Sequence, residues 1–234
     1  MSSRNPQPPT PNPRLLTFDC YGTLIDWDSG IRAYLAGVLA RKGAGVALDD
    51  FYRHWYYECE LKVIAGPFML YRDVLHTSLQ AALRDFGLPL APDDGADFGT
   101  AMETWEPFPE SVAVLAKLAE RYPLAVISNS QHDIIRHAVA KLGSPFSYVI
   151  TAEDARAYKP AARPFELTLE QAGVSAAETL HVAQSQMVDL PRSKAMGIRT
   201  VWINRHAEQL RPGTPEPDYV FADLRPLPGL LGLS

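Results

Sequence analysis

The chain is poor in cysteine. Cys20 and Cys59 are the only ones among its 234 residues, so no disulfide framework holds the fold, and the expected compartment is the reducing cytoplasm. Excess charge of one sign is also small: 22 Lys and Arg stand against 27 Asp and Glu, a net charge of −5. This excludes the basic footprint of a nucleic-acid binder and the basic stripe of a membrane-surface helix. No apolar run approaches the ~20 residues that cross a bilayer. Residues 1–13 lack the apolar stretch of a signal peptide. With Pro6, Pro8, Pro9, Pro11 and Pro13 they read as a disordered, proline-rich tail. At 47% hydrophobic residues, the remainder suits one large domain, or a core with an insertion.

What is there starts with Leu15-Leu16-Thr17-Phe18-Asp19-Cys20-Tyr21-Gly22-Thr23. A short, mostly apolar run ends in an aspartate and a Tyr-Gly turn, the pattern of a buried parallel strand. Asp19 then stands at the strand's carboxyl end, where open α/β sheets gather ligands. It is a candidate nucleophile, or simply the cap of a turn. Residues 29–103 show helical spacing throughout, with aromatics concentrated in a helix over 48–65 and a third helix over 71–86. From Pro107 onward, helix and strand patterns alternate: strands over 124–129, 148–150, 180–183, 200–203 and 219–221. That alternation predicts an α/β fold with a Rossmann-like parallel sheet. The expected domains are a core of residues 14–28 and 104–234 and a helical cap of residues 29–103. A cap inserted after the first strand would lie over Asp19 and exclude water.

Further polar groups fall at the same predicted edge. Ser128 and Asn129 end the second strand, Lys159 follows the third, and Asp189 follows the fourth. A hydroxyl, an amide, an ammonium and two carboxylates at one sheet edge can make a nucleophile with its electrostatic support. Lys159 is expected to keep Asp19 ionised by lowering its pKa. Singly, each has a bland alternative: Asn129 as a turn residue, Lys159 as a solvated charge, Asp189 as a helix cap.

Phe18 to Leu24, Ile127-Ser128-Asn129, Tyr158-Lys159-Pro160, and Val182 to Asp189 with Gly197 to Arg205 resemble the four ordered motifs of the haloacid dehalogenase superfamily. Tyr-Gly-Thr after the aspartate, and the helical insert, are most similar to its L-2-haloacid dehalogenase branch. The resemblance implies that Asp19 attacks the halogen-bearing carbon, forms an ester, and is regenerated by water. It implies that Thr23 holds the Asp19 loop, Lys159 stabilises the carboxylates, and Asp189 places the lysine and the water. Substrate contacts would come from Ser128, the turn amides of Cys20 and Tyr21, and Asn129, with Arg53 as the cap arginine facing the halide. Gln184 and Gln186 stand where that branch has serine and asparagine, and Phe165 where it has a tyrosine. The two glutamines would contact substrate or water from displaced positions, while Phe165 loses a hydroxyl.

Phosphatases of the superfamily carry a second aspartate two residues after the nucleophile, to protonate the leaving group. Here that position is Tyr21, a poor acid at neutral pH. Gln184 replaces the aspartate that helps hold Mg²⁺ in those phosphatases, and Mg²⁺ prefers carboxylates. No metal and no other cofactor is therefore expected. The alternatives are a Mg²⁺-dependent small-metabolite phosphatase and a catalytically weak ligand-binding protein. The expected partner is a small acid substrate, with no nucleic acid and no membrane, and the aromatic cap helix could form a homodimer face.

Overall fold

Strand β1 (Leu15–Phe18) is buried over its whole length. It has paired strands on both sides, so no edge of it meets water, and a parallel strand in that position is a near-continuous apolar run. The computed structural model describes residues 13–233. The proline-rich tail expected over residues 1–13 lies, apart from Pro13, outside them.

The other strands are β2 (Leu124–Ser128), β3 (Tyr148–Thr151), β4 (Thr179–Ala183), β5 (Arg199–Ile203) and β6 (Tyr219–Phe221). They form one six-stranded sheet in the order β3-β2-β1-β4-β5-β6, with every neighbouring pair parallel. The order reverses direction between β1 and β4. In open α/β sheets the crevice at such a reversal, beyond the carboxyl ends of the strands, is where ligands bind. The register sets Thr17 beside His181 and Phe18 beside Val182, so the residues after β1 and after β4 emerge together.

Between β1 and β2 the chain is helical: α1 (Trp27–Arg41), α2 (Leu48–His54), a π-helical turn (Trp55–Glu60), α3 (Leu61–Ile64), α4 (Tyr71–Asp85) and α5 (Phe98–Met102). Asp26 caps α1 by accepting from the Ser29 amide at 3.2 Å. In α4, Val74, Leu75, Ser78, Leu79, Ala82 and Leu83 form the buried stripe. Trp55 is fully buried, and its Nε1 donates to Ser78 Oγ at 3.1 Å. This apolar interior is continuous with the one beneath the sheet, so the helical segment is packed onto the sheet edge. Gly30 is required by that packing, since a Cβ there would lie 2.5 Å from the Trp105 ring.

The remaining helices are α6 (Ser111–Ala119), α7 (His132–Lys141), α8 (Ala152–Ala155), α9 (Arg163–Ala172), α10 (Leu190–Ala195) and α11 (Leu227–Leu230). Two features differ from expectation. The single helix predicted over 48–65 is interrupted by the π-turn, a widened ring that periodicity at 3.6 does not anticipate. The short α8 follows β3 directly, opened by a Thr151–Asp154 capping box, too brief for a periodic signal. Among the described residues, no helix is long and apolar enough to cross a membrane.

Candidate active site

Asp19 leaves the end of β1 with its amide donating to Val182 O at 3.0 Å, so β4 carries the ladder one residue beyond the strand. Gly22 then turns the chain at φ +90°, a conformation that costs a residue with a Cβ. The turn brings Thr23 back, and its Oγ1 donates to Asp19 Oδ2 at 2.7 Å while accepting from the Gln184 amide at 2.9 Å. Thr23 therefore ties the loop after β1 to the loop after β4 through the nucleophile candidate itself. Arg205 buttresses the same loop. It donates to Thr23 O at 2.8 Å and Glu110 Oε1 at 2.7 Å, and lies over the Phe108 ring.

Lys159 is 1% exposed. Its Nζ donates to Asp19 Oδ1 at 2.8 Å, Asp189 Oδ1 at 2.7 Å and Ile127 O at 2.9 Å, which uses all three of its protons. The loop that carries it is held by Asn129, whose Oδ1 accepts from Lys159 N at 2.7 Å and whose Nδ2 donates to Lys159 O at 3.0 Å. Behind Asp189 stands His181, buried in the middle of β4. Its Nε2 lies 3.1 Å from Asp189 Oδ1 and its Nδ1 lies 2.9 Å from Thr17 Oγ1. An ionised carboxylate can only accept, so Nε2 donates to Asp189.

One ammonium thus faces two buried carboxylates. Burial alone would raise both, but Lys159 and the His181 hydrogen bond hold Asp189 below the usual carboxylate range. Asp19 is raised: burial outweighs the attraction of Lys159, and the negative Asp189 adds to the rise. Lys159 does pull Asp19 down as expected, but burial is the larger influence and the net shift is upward. A single cation shared between two carboxylates stabilises one fully and leaves the other the weaker acid. Lys159 itself is raised by the carboxylates, against burial.

Asp19, Tyr21, Ser128, Asn129, Lys159, Gln184 and Asp189 line one small cleft, with Trp27, Tyr56, Glu60, Ile64 and Tyr71 of the helical segment opposite. The Ser128 hydroxyl donates to Ser130 Oγ at 3.2 Å and can rotate toward a ligand. Tyr21 and Asp189 each hold a buried oxygen, Oη and Oδ2, without a hydrogen-bond partner. Burial pushes the Tyr21 phenol well above its usual range.

Two predicted substrate contacts, Arg53 and Gln186, are not brought to this cleft. Arg53 is exposed. On its helix Phe51 and Trp55 face the interior, while Tyr56 and Glu60 face the cleft, and Arg53 lies off both stripes. The contact expected of Cys20 is through its backbone amide beside Asp19, and its side chain is fully buried in the apolar interior, where burial and then Asp19 push its thiol up. Gln186 turns away: its Nε2 donates to Glu208 Oε2 at 2.9 Å, and its Oε1 accepts from the Arg211 amide at 2.8 Å. It fixes the loop after β5 and lines a neighbouring cleft. Asn129 reaches the cleft wall, but its amide is engaged in holding the Lys159 loop. Sequence reasoning passed over His181, Arg205 and Glu60. For His181 the available signal was a histidine inside an otherwise apolar strand.

The donor set fits a divalent ion poorly. Asp19 and Asp189 are the carboxylates at the sheet edge, and the Lys159 ammonium binds an oxygen of each. Away from the cleft, His54, Cys59 and Asp85 bring one ligand atom each within 4.8 Å of one another. There His54 and Asp85 already satisfy one another at 2.8 Å.

Comparison with known proteins agrees with this arrangement. The family model of haloacid dehalogenase-like hydrolases matches residues 13–197. Haloacetate dehalogenase H-2 of Moraxella sp. (strain B) is 29% identical over 201 residues, covering 82% of this chain and 85% of that protein. (S)-2-haloacid dehalogenase 2 of Pseudomonas sp. (strain CBS-3) is 26% identical, covering 94% of this chain and 96% of its own length. In fold, the L-2-haloacid dehalogenase of Xanthobacter autotrophicus, solved with chloropropionic acid covalently bound, superposes with a TM-score of 0.80. It is 23% identical, and 94% of this chain and 98% of that one are covered. The family match spans most of the sequence, and this chain belongs to the haloacid dehalogenase-like hydrolases.

Proposed function

We propose that the chain hydrolyses the carbon–halogen bond of short 2-haloalkanoic acids through an ester on Asp19. The observation that carries this reading is the setting of Asp19. Its carboxylate is held by Lys159 and Thr23 at the floor of a small cleft, while position 21, two residues on, bears no acid. A halide leaves as a stable anion and needs no proton, whereas an alkoxide needs a general acid. The curated relatives named for haloacid and haloacetate dehalogenation support the same substrate class.

In the first half-reaction an Asp19 oxygen bonds to the halogen-bearing carbon, and the C–X bond breaks with its electron pair on the halide. Attack and departure are in line, so the carbon inverts. The substrate carboxylate would lie toward the Ser128 hydroxyl at the end of β2. In the second half-reaction water attacks the carboxyl carbon of the ester, the acyl C–O bond breaks, and the hydroxy acid leaves, its hydroxyl oxygen taking one of the two protons of that water while the other passes to solvent. Lys159 steadies the developing oxyanion, and the unpartnered Asp189 Oδ2 is placed to accept from the water. The helical segment serves as a cap. Two free, buried cysteines fit a cytoplasmic enzyme.

The test is halide release from each enantiomer of 2-chloropropionate with EDTA present, with Asp19→Asn as control, and p-nitrophenyl phosphate with Mg²⁺ in parallel. Release from one enantiomer, indifferent to EDTA and lost in the variant, is expected. Phosphate release that requires Mg²⁺, without halide release, would overturn the reading.

A further inference from the structure

Glu60 closes the π-helical turn on the roof of the Asp19 cleft. It is 3% exposed, an uncommon place for a carboxyl without a counter-ion. Tyr71 Oη donates to its Oε1 at 3.1 Å, while Oε2 is buried and has no hydrogen-bond partner. The titratable groups that face Glu60 are Tyr71 from α4, Tyr158 from the loop after β3 and Tyr56 on its own turn. Asp19, Lys159 and Asp189 stand on the other wall of the cleft. Lys159, the cleft's cation, is already committed to Asp19 and Asp189. Burial, only partly offset by the Tyr71 hydrogen bond, pushes the Glu60 carboxyl up to about 8. A proton therefore rests on it at neutral pH, and the natural site for that proton is Oε2, since Oε1 is accepting from Tyr71.

No arginine lines this cleft, and Arg53 is outside it, so the halide has no cation waiting on the roof. Backside attack by Asp19 from the floor directs the departing group toward that roof. Among the cleft-lining residues of the helical segment, Glu60 supplies the one carboxyl. We propose that the protonated Glu60 is a catalytic residue that donates a hydrogen bond from Oε2 to the leaving halide, in the place where a cationic side chain would otherwise stand. The inference rests on the dehalogenase reading and sharpens it. As the Asp19 oxygen bonds to carbon and C–X breaks, negative charge grows on X, and the Oε2 proton meets it. The proton stays on Glu60, because even hydrogen fluoride is a stronger acid than this carboxyl. Fluoride is the best hydrogen-bond acceptor of the halides and the worst leaving group. The donor therefore favours carbon–fluorine cleavage most.

The experiment measures fluoride release from fluoroacetate and chloride release from chloroacetate between pH 5 and 10, for the wild type, Glu60→Gln and Glu60→Leu. The wild type should lose rate above about pH 8, by about tenfold per pH unit. Glu60→Gln keeps an acceptor for Tyr71 and a donor toward the cleft but does not titrate, so this alkaline limb should vanish. Glu60→Leu, losing the donor, should slow fluoride release on the order of a hundredfold and chloride release less. An unchanged alkaline limb in Glu60→Gln, equal slowing of both halides in Glu60→Leu, or a wild type that releases chloride but no fluoride would overturn the proposal while leaving the dehalogenase reading intact. A wild type that releases neither halide would overturn both.

Discussion

Replacing Lys159 by methionine keeps the length of the side chain and removes the one charge that faces both carboxylates. Nζ makes three hydrogen bonds, to Asp19, Asp189 and Ile127 O, and the side chain is 1% exposed. Removing one partner of a buried ion pair costs about 3–5 kcal/mol, because the other is left charged and unpaired. Here there are two such partners, and they respond differently. Asp189 retains His181 Nε2 at 3.1 Å and stays ionised. Asp19, already raised by burial in the wild type, is relieved by taking up a proton. A carboxyl whose folded pKa lies above its unfolded value stabilises the fold least at high pH, since the folded state must there give up the proton or hold an uncompensated charge. The deficit of Lys159→Met against the wild type should therefore be larger at pH 8 than at pH 5. Each unit by which Asp19 rises beyond the assay pH removes about tenfold of the ionised nucleophile, so halide release should collapse at neutral pH and recover in part only as the pH rises toward about 8, where loss of the Glu60 proton sets in. Urea unfolding followed by tryptophan fluorescence at both pH values reads the first effect, and a pH–rate profile the second. A loss below about 1 kcal/mol at pH 8, the size of an exposed ion pair, or a larger loss at pH 5 than at pH 8, would refute the reasoning.

Other substitutions separate the parts of the site. Thr23→Val removes the donor to Asp19 Oδ2 and the acceptor for the Gln184 amide; about 1–3 kcal/mol of stability should be lost for the stranded buried groups, and kcat should fall with little change in KM. Arg53→Ala should leave both stability and kcat within the scatter of a surface change, about 0.5 kcal/mol or less; a large loss of kcat in steady-state halide release would show that this side chain enters the cleft after all. Gly30→Ala drives a methyl into the Trp105 ring and should lower stability by about 1–3 kcal/mol through overpacking, read as a fall in the urea midpoint.

Much of this was legible because a parallel strand announces its own end. β1, β2 and β4 are apolar runs that stop at polar residues, so Asp19, Ser128 and Asp189 could be assigned to one sheet edge before any coordinates. Lys159 was legible only as a loop charge after β3 and through the resemblance of its flanking residues. What failed were statements about which way a side chain points. Arg53 and Gln186 each stand within a few residues of cleft-lining groups, yet helix phase and a competing loop contact turn them elsewhere. The π-turn is the sharpest case: it breaks the 3.6-residue period within the helix from which the arginine was expected, and the side chains that it delivers to the roof are Tyr56 and Glu60. His181 was invisible for a different reason, as its value lies in cross-strand register with Thr17 and in reach to Asp189. The direction of the Asp19 shift needed the depth of its burial and the sharing of one ammonium with Asp189, which sequence spacing does not supply.

The central claim is that Asp19 itself forms the bond to the substrate. The direct measurement is turnover of 2-chloropropionate in H₂¹⁸O, followed by mass spectrometry of the peptide that contains Asp19. If the ester forms on Asp19 and water attacks its carboxyl carbon, ¹⁸O enters that peptide over repeated turnovers, and the lactate of a single turnover carries ¹⁶O from the protein. Label found in the first-turnover lactate, with an unlabelled Asp19 peptide, would mean that water attacks the substrate directly, and would contradict the account.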